Sequence, residues 1–183
     1  SITKTYKHNS ICAYGTVCPL LMYDNNGVPN YMVSKQGGTV KVVKLSDESV
    51  STSIDEGKDV KGMTQYDEKT MFVLTSHKSL AAAKRILKIN TETKELVDNV
   101  QRTYTTDAGL TKLSNGQLLM LTYYSLSNKS YANFYNANLD LSNEPRMGIN
   151  FDDTYGDYHI IEISDQTLIV CFSNDNCKAV SCL

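Results

Sequence analysis

Five acidic residues, Asp107, Asp152, Asp153, Asp157 and Glu162, are the first candidates for chemistry in this sequence. Paired carboxylates can flank a glycosidic bond, one protonating the leaving oxygen while the other attacks or activates water. These acids fall near the expected starts of strand units, where loops converge. The simpler reading is structural, because aspartates between strands accept backbone N–H groups and make turns. A substrate bearing its own carboxylate would also call for an arginine cluster. Arg85, Arg102 and Arg146 fall instead in a third strand, a connecting loop and an outer strand, positions that do not converge.

Metal and nucleophile chemistry fare no better. Asp24-Asn25-Asn26-Gly27 opens like a calcium loop, but the position that should hold the bidentate Glu is Lys35, so a hairpin turn is expected. Phe151–Asp157 (FDDTYGD) reads as a solvated acidic loop. His8, His77 and His159 lie far apart, and no Cys/His spacing fits zinc. There is no Gly-x-Ser-x-Gly elbow, and Gly37-Gly38 is a lone pair in a hairpin, not a phosphate loop. The expectation is a non-enzyme with no metal and no cofactor.

What remains is surface chemistry and cysteines. The chain has 12 Tyr against 4 Phe and no Trp. Tyrosine offers rigid apolar area with a polar tip, which suits binding surfaces and stacking on sugars. Tyr123, Tyr124, Tyr131, Tyr135, Tyr155 and Tyr158, with Asp152, Asp153 and Asp157, mark a candidate binding face around loops Ser125–Ser130 and Phe151–Tyr158. Cys12, Cys18, Cys171, Cys177 and Cys182 cluster at the two ends. Cys12 or Cys18 paired with Cys177 or Cys182 would staple the ends together. Cys171 reads as a core thiol or a partner of Cys177 or Cys18. The odd count leaves a thiol for an intermolecular link. Asn128-Lys129-Ser130 is a glycosylation triplet in an expected surface loop. A start at Ser1 is what a processed or trimmed chain would show. Together these features point to a secreted or extracellular protein. Net charge is -2, which gives no electrostatic reason to expect nucleic acid, and no apolar run is long enough for a helical membrane span.

The elements that must carry these residues are strands. Asn30–Lys35, Thr39–Ser46, Thr70–Ser76, Lys84–Asn90, Gln117–Ser125, Tyr131–Asp140 and Thr167–Ser173 are apolar or alternating runs separated by turn residues. His77–Ala83 is too short for an independent helix and reads as a loop. Second strands begin near Tyr31, Met71, Leu118 and Leu168, a repeat of about 40–50 residues, which is the period of a propeller blade. The predicted fold is a single all-β domain over 1–183, a β-propeller-like array of four-stranded antiparallel blades. Its units cover roughly 13–55, 58–101, 105–150 and 155–183, and the strand within 1–8 is placed to close the last blade. A β-sandwich or barrel is the competing architecture.

GLTKLSNGQLLMLTYY, residues 109–124, resembles a blade of the sialidase-like propeller group. Thr105-Thr106-Asp107-Ala108-Gly109-Leu110-Thr111 resembles that group's Asp-box, with Lys112 in place of the Trp. The box in that group lies on a hairpin between outer strands, whereas this segment precedes a first strand. The size also resembles hemopexin-like domains in shape. The expected function is an extracellular, non-catalytic binding or adhesion module for a protein or glycan. The alternatives are a sialidase-type glycoside hydrolase and a structural subunit that self-associates through strand edges.

Overall fold

The computed structural model describes residues 19–36, 39–55, 59–76, 84–93, 96–102, 107–124, 129–141, 146–147, 159–164, 167–171 and 177–181. Every regular element among them is a strand. The first sheet orders β1 (Leu20–Tyr23), β2 (Pro29–Gln36), β3 (Thr39–Lys44) and β4 (Val50–Asp55). The second orders β5 (Asp59–Gln65), β6 (Thr70–Ser76), β7 (Lys84–Asn90) and β8 (Leu96–Arg102). The third runs β9 (Asp107–Lys112), β10 (Leu118–Tyr124), β11 (Lys129–Tyr135) and β12 (Arg146–Met147). The last holds β13 (His159–Ser164), β14 (Thr167–Cys171) and β15 (Cys177–Ser181). All pairings among the described residues are antiparallel meanders, as the predicted array requires, and these strands build neither a sandwich nor a barrel.

Strand periodicity explains how the sheets stack. Alternate side chains of one strand serve two different interfaces. In β6, Met71 and Val73 pack towards the first sheet, in a cluster with Met22, Tyr31, Val33 and Val42. Phe72 and Leu74 of the same strand pack towards the third sheet, against Leu118, Met120 and Tyr135. In β10, Leu119 and Leu121 face the last sheet and meet Leu168 and Val170. A central strand covered on both faces therefore reads as a continuous apolar run. Three apolar clusters fill the spaces between consecutive sheets. No such cluster joins the first sheet to the last among the described residues.

The turns follow one recipe. Asp24, Asp47, Asp67, Asn90, Asn115 and Asn136 each accept a backbone N–H two residues on, closing an Asx turn within a sheet. Asp24 also accepts from the Val28 N–H at 2.8 Å, so Asp24–Gly27 is the expected hairpin turn. Gly27 and Gly116 supply the left-handed conformation there, with φ of 75° and 83°.

Two expectations need correction. The run Tyr131–Asp140 is not one strand: β11 stops at Tyr135. The Asn136 side chain accepts the N–H groups of Asn138 and Asp140, and Leu139 turns at φ 64° to pack into the core. Its apolar residues keep a strand-like alternation that the Asx turn overrides. The glycosylation triplet is not wholly in a loop either. Lys129 and Ser130 belong to β11, and Ser130 is buried. The expected strand Ser1–Lys7, loop His77–Ala83, Asn128, Cys12, Cys18 and Cys182 lie outside the described residues.

Candidate functional site

The first strand of each sheet lies innermost, and all four sheets contribute to one cavity of about 380 Å³. Pro19 and Leu20 come from the start of β1, and Lys61, Gly62 and Met63 from β5. Leu110 and Thr111 come from β9, and His159, Ile160 and Ile161 from β13. The walls are mainly apolar, with Lys61, Thr111 and His159 as the polar side chains. Local irregularity aims one of them. The β5–β6 register shifts between Val60 and Gly62, making Lys61 the extra residue of a bulge. Bulges turn a side chain out of the ladder, and here Val60 stays in the core while Lys61 borders the cavity.

One repeated contact holds the innermost strands together. Gln65, Lys112 and Glu162 occupy the same register, each opposite the first core residue of its second strand: Met71, Leu118 and Leu168. Each reaches back to the preceding sheet. Gln65 Oε1 accepts the Tyr23 N–H at 3.0 Å, and its Nε2 donates to the Tyr23 carbonyl at 2.6 Å. The Lys112 ammonium donates to the Tyr66 carbonyl and lies 4.8 Å from the Tyr66 ring centroid. Glu162 accepts the Ser114 N–H at 2.6 Å and the Ser114 hydroxyl at 3.0 Å. Amide, ammonium and carboxylate each match the group they meet. Tyr66 adds a hydroxyl donation to the Gly116 carbonyl at 3.0 Å.

The predicted site residues scatter. Tyr123 is 5% exposed in the cluster facing the last sheet, and Tyr135 is fully buried against the second sheet. Both rings fill space between sheets, so neither presents area to a ligand. Tyr131 is half-buried in β11, and Tyr124 ends β10 opposite Lys129. Asp107 is the first residue of β9, paired with Tyr123, and lies in the ladder rather than in a loop before it. Glu162 is occupied by its contact with Ser114. Asp152, Asp153, Tyr155, Asp157 and Tyr158 lie outside the described residues. Cys171 and Cys177 face each other across β14 and β15 and form a disulfide, their Cα atoms 4.0 Å apart. That pairing takes Cys177 out of any end-to-end clasp. Sequence reasoning missed Lys61 and His159 as neighbours. The usable signal was their place on the first strand of a unit, with lysine interrupting the alternation of DVKGM.

No protein-family model matches the chain, and no curated protein matches its sequence. Solved structures do resemble it. Over 90% of its length the chain is similar to the dihydro-heme d1 dehydrogenase NirN in complex with DHE, with a TM-score of 0.59, 10% identity and 34% of that chain covered. It is similar over 84% of its length to the WD40 β-propeller domain of Doa1, with a TM-score of 0.56, 12% identity and 47% of that chain covered. A third likeness is the β-propeller domain of the Trilobed protease from Pyrococcus furiosus, with a TM-score of 0.50, 11% identity, 84% of this chain and 44% of that chain covered. The chain thus spans about a third to a half of these structures. At such identities the likeness is one of fold. Nothing in it singles out the sialidase-like group. The chain has a β-propeller-like fold.

Proposed function

We propose that the chain is a non-catalytic binding module that works outside the cell and recognises a protein ligand, with a glycan as the second choice. The observation that carries this reading is where apolar side chains stay exposed. Leu21 and Tyr23 on β1 are each 43% exposed, and Ile161 and Ile163 on β13 are each 55% exposed. These pairs lie on the two strands that border the cavity from the first and last sheets, on faces turned away from the packed clusters. Grouped exposed apolar residues mark interaction surfaces, and protein partners cover them better than sugars do. The cross-strand disulfide supports an oxidising compartment.

Screening against immobilised secreted and cell-surface proteins, with a glycan array alongside, tests the proposal. We expect a protein partner with a Kd at or below about 1 μM. Ile161→Lys together with Ile163→Lys should weaken it at least tenfold, on the order of 1.4 kcal/mol, without changing the thermal midpoint. Binding that ignores this double variant would overturn the assigned surface.

A further inference from the structure

We propose that the surface assigned above docks a second copy of this chain, head to tail, the first sheet of one copy stacking on the last sheet of the other. The inference rests on that surface reading and names one protein that fits it. Strand alternation shows which faces are left over. Leu20 packs against the first apolar cluster and Met22 is part of it, so Leu21 between them faces away from the second sheet. Ile160 packs against the cluster shared by the third and last sheets, so Ile161 faces away from the third sheet, with Ile169 opposite it in β14. Leu21, Tyr23, Ile161 and Ile163 all stay exposed, and no apolar cluster joins these two sheets among the described residues. The chain's own last sheet therefore does not cover its first.

The two faces are complementary by the rule that builds the inner interfaces. Each inner interface joins the following face of one sheet to the preceding face of the next. The first sheet leaves a preceding face over and the last sheet a following one, so a second copy always brings the missing counterpart. The clasp between innermost strands points the same way. Tyr23 ends β1 as Gln65 ends β5 and Lys112 ends β9. Gln65 and Lys112 each reach back to a backbone carbonyl of the preceding sheet, at Tyr23 and at Tyr66. Tyr23 brings a ring and a hydroxyl to that position in the first sheet. On a neighbouring copy the matching backbone is that of Ile163 and Ser164, just beyond Glu162 in β13. A second copy thus supplies apolar cover for Leu21 and carbonyl acceptors for the Tyr23 hydroxyl. The outer faces bring Leu21, Tyr23, Ile161, Ile163 and Ile169, fewer than the eight to ten buried residues of each inner cluster. The contact is accordingly weak and reversible, with a Kd on the order of 10–100 μM.

Sedimentation velocity of the folded chain from about 1 μM to about 500 μM tests this, and the mass should rise with concentration from one chain to two or more. Leu21→Lys with Tyr23→Lys disables the first face, and Ile161→Glu with Ile163→Glu disables the last. Each double variant alone should associate at least about tenfold more weakly than the unaltered chain. Mixed in equal amounts the two should pair again, because each still carries the face that the other has lost. Circular dichroism confirms folding, and Leu21→Lys or Ile161→Glu alone replaces a double variant that does not fold. Association that survives both sets of substitutions overturns the proposal, as does a mixture that fails to recover. Loss from one set only means that like faces meet, which overturns the head-to-tail arrangement. A single chain at every concentration overturns it too, yet leaves the surface reading standing if the screen above finds a different protein that the Ile161 and Ile163 substitutions weaken.

Discussion

At the scale of single residues, the repeated register position on the innermost strands carries most of the local specificity. Gln65 satisfies a donor and an acceptor of Tyr23 at once, and no other side chain of its length and neutrality can do so. Gln65→Met should lower stability by about 1–2 kcal/mol, read from the urea midpoint. At the equivalent Glu162 the prediction divides. Glu162→Leu should cost about 1–2 kcal/mol, whereas Glu162→Gln should retain most of the stability. Its amide oxygen can still accept the Ser114 N–H, and its amide nitrogen can donate to the Ser114 hydroxyl oxygen. A contrasting pair is Lys69 and Glu92, 2.9 Å apart with both side chains more than half exposed. Glu92 raises the Lys69 pKa above 10.5, through its hydrogen bond first and its charge second. A raised folded value means the contribution is present below lysine's ordinary pKa and fades only as pH climbs through the folded one. Solvent screens such a pair, so Lys69→Met should leave the urea midpoint at pH 7 unchanged. These roles were not legible in the sequence. Glutamine, lysine and glutamate at one register position share no chemistry until the neighbouring backbone group is known.

At the scale of elements, the sequence was far more informative. Thr70–Ser76 and Lys84–Asn90 were readable to the residue because turn residues bound short β-branched and apolar runs. The failure at Tyr131–Asp140 came from a turn whose leucine is buried, since hydrophobic alternation cannot distinguish a strand from a turn that packs. Tyrosine misled for a related reason. Tyr123 and Tyr135 alternate along their strands just as surface residues would, and only the stacking of sheets decides which faces are covered. The same stacking makes Gly62 testable. A Cβ added there would meet Leu110 Cβ at 3.6 Å and Leu74 Cβ at 3.8 Å, which is ordinary contact. Gly62→Ala should therefore be neutral or stabilise by up to about 1 kcal/mol through reduced freedom of the unfolded chain. Gly62→Leu must push β5 away from β9 and should cost about 1–3 kcal/mol by overpacking. A thermal melt of the two variants distinguishes a merely tolerant position from a close approach between sheets.

At the scale of the whole molecule, the array is uneven, and its unevenness predicts where it opens. Stability in such stacks is a sum of sheet terms and nearest-neighbour interface terms. The second and third sheets each take part in two apolar clusters, while the last takes part in one. Burial follows the same order: Met71–Ser76 of β6 are buried without interruption, whereas β14 alternates and β13 is buried nowhere along its length. Amide exchange should accordingly be slowest in β6 and β10 and fastest in β13 and β15. The Cys171–Cys177 disulfide partly offsets this. Its sequence separation of 6 closes a short loop, worth about 2 kcal/mol in the chain-entropy account. Reduction should speed exchange in β14 and β15 and leave β6 untouched, because among the described residues the second sheet shares no apolar cluster with the last. Exchange followed by mass spectrometry before and after reduction checks both statements. Uniform protection across all four sheets would mean that the outer face of the last sheet is covered as fully as the others, and that the array closes into a ring with a fourth interface.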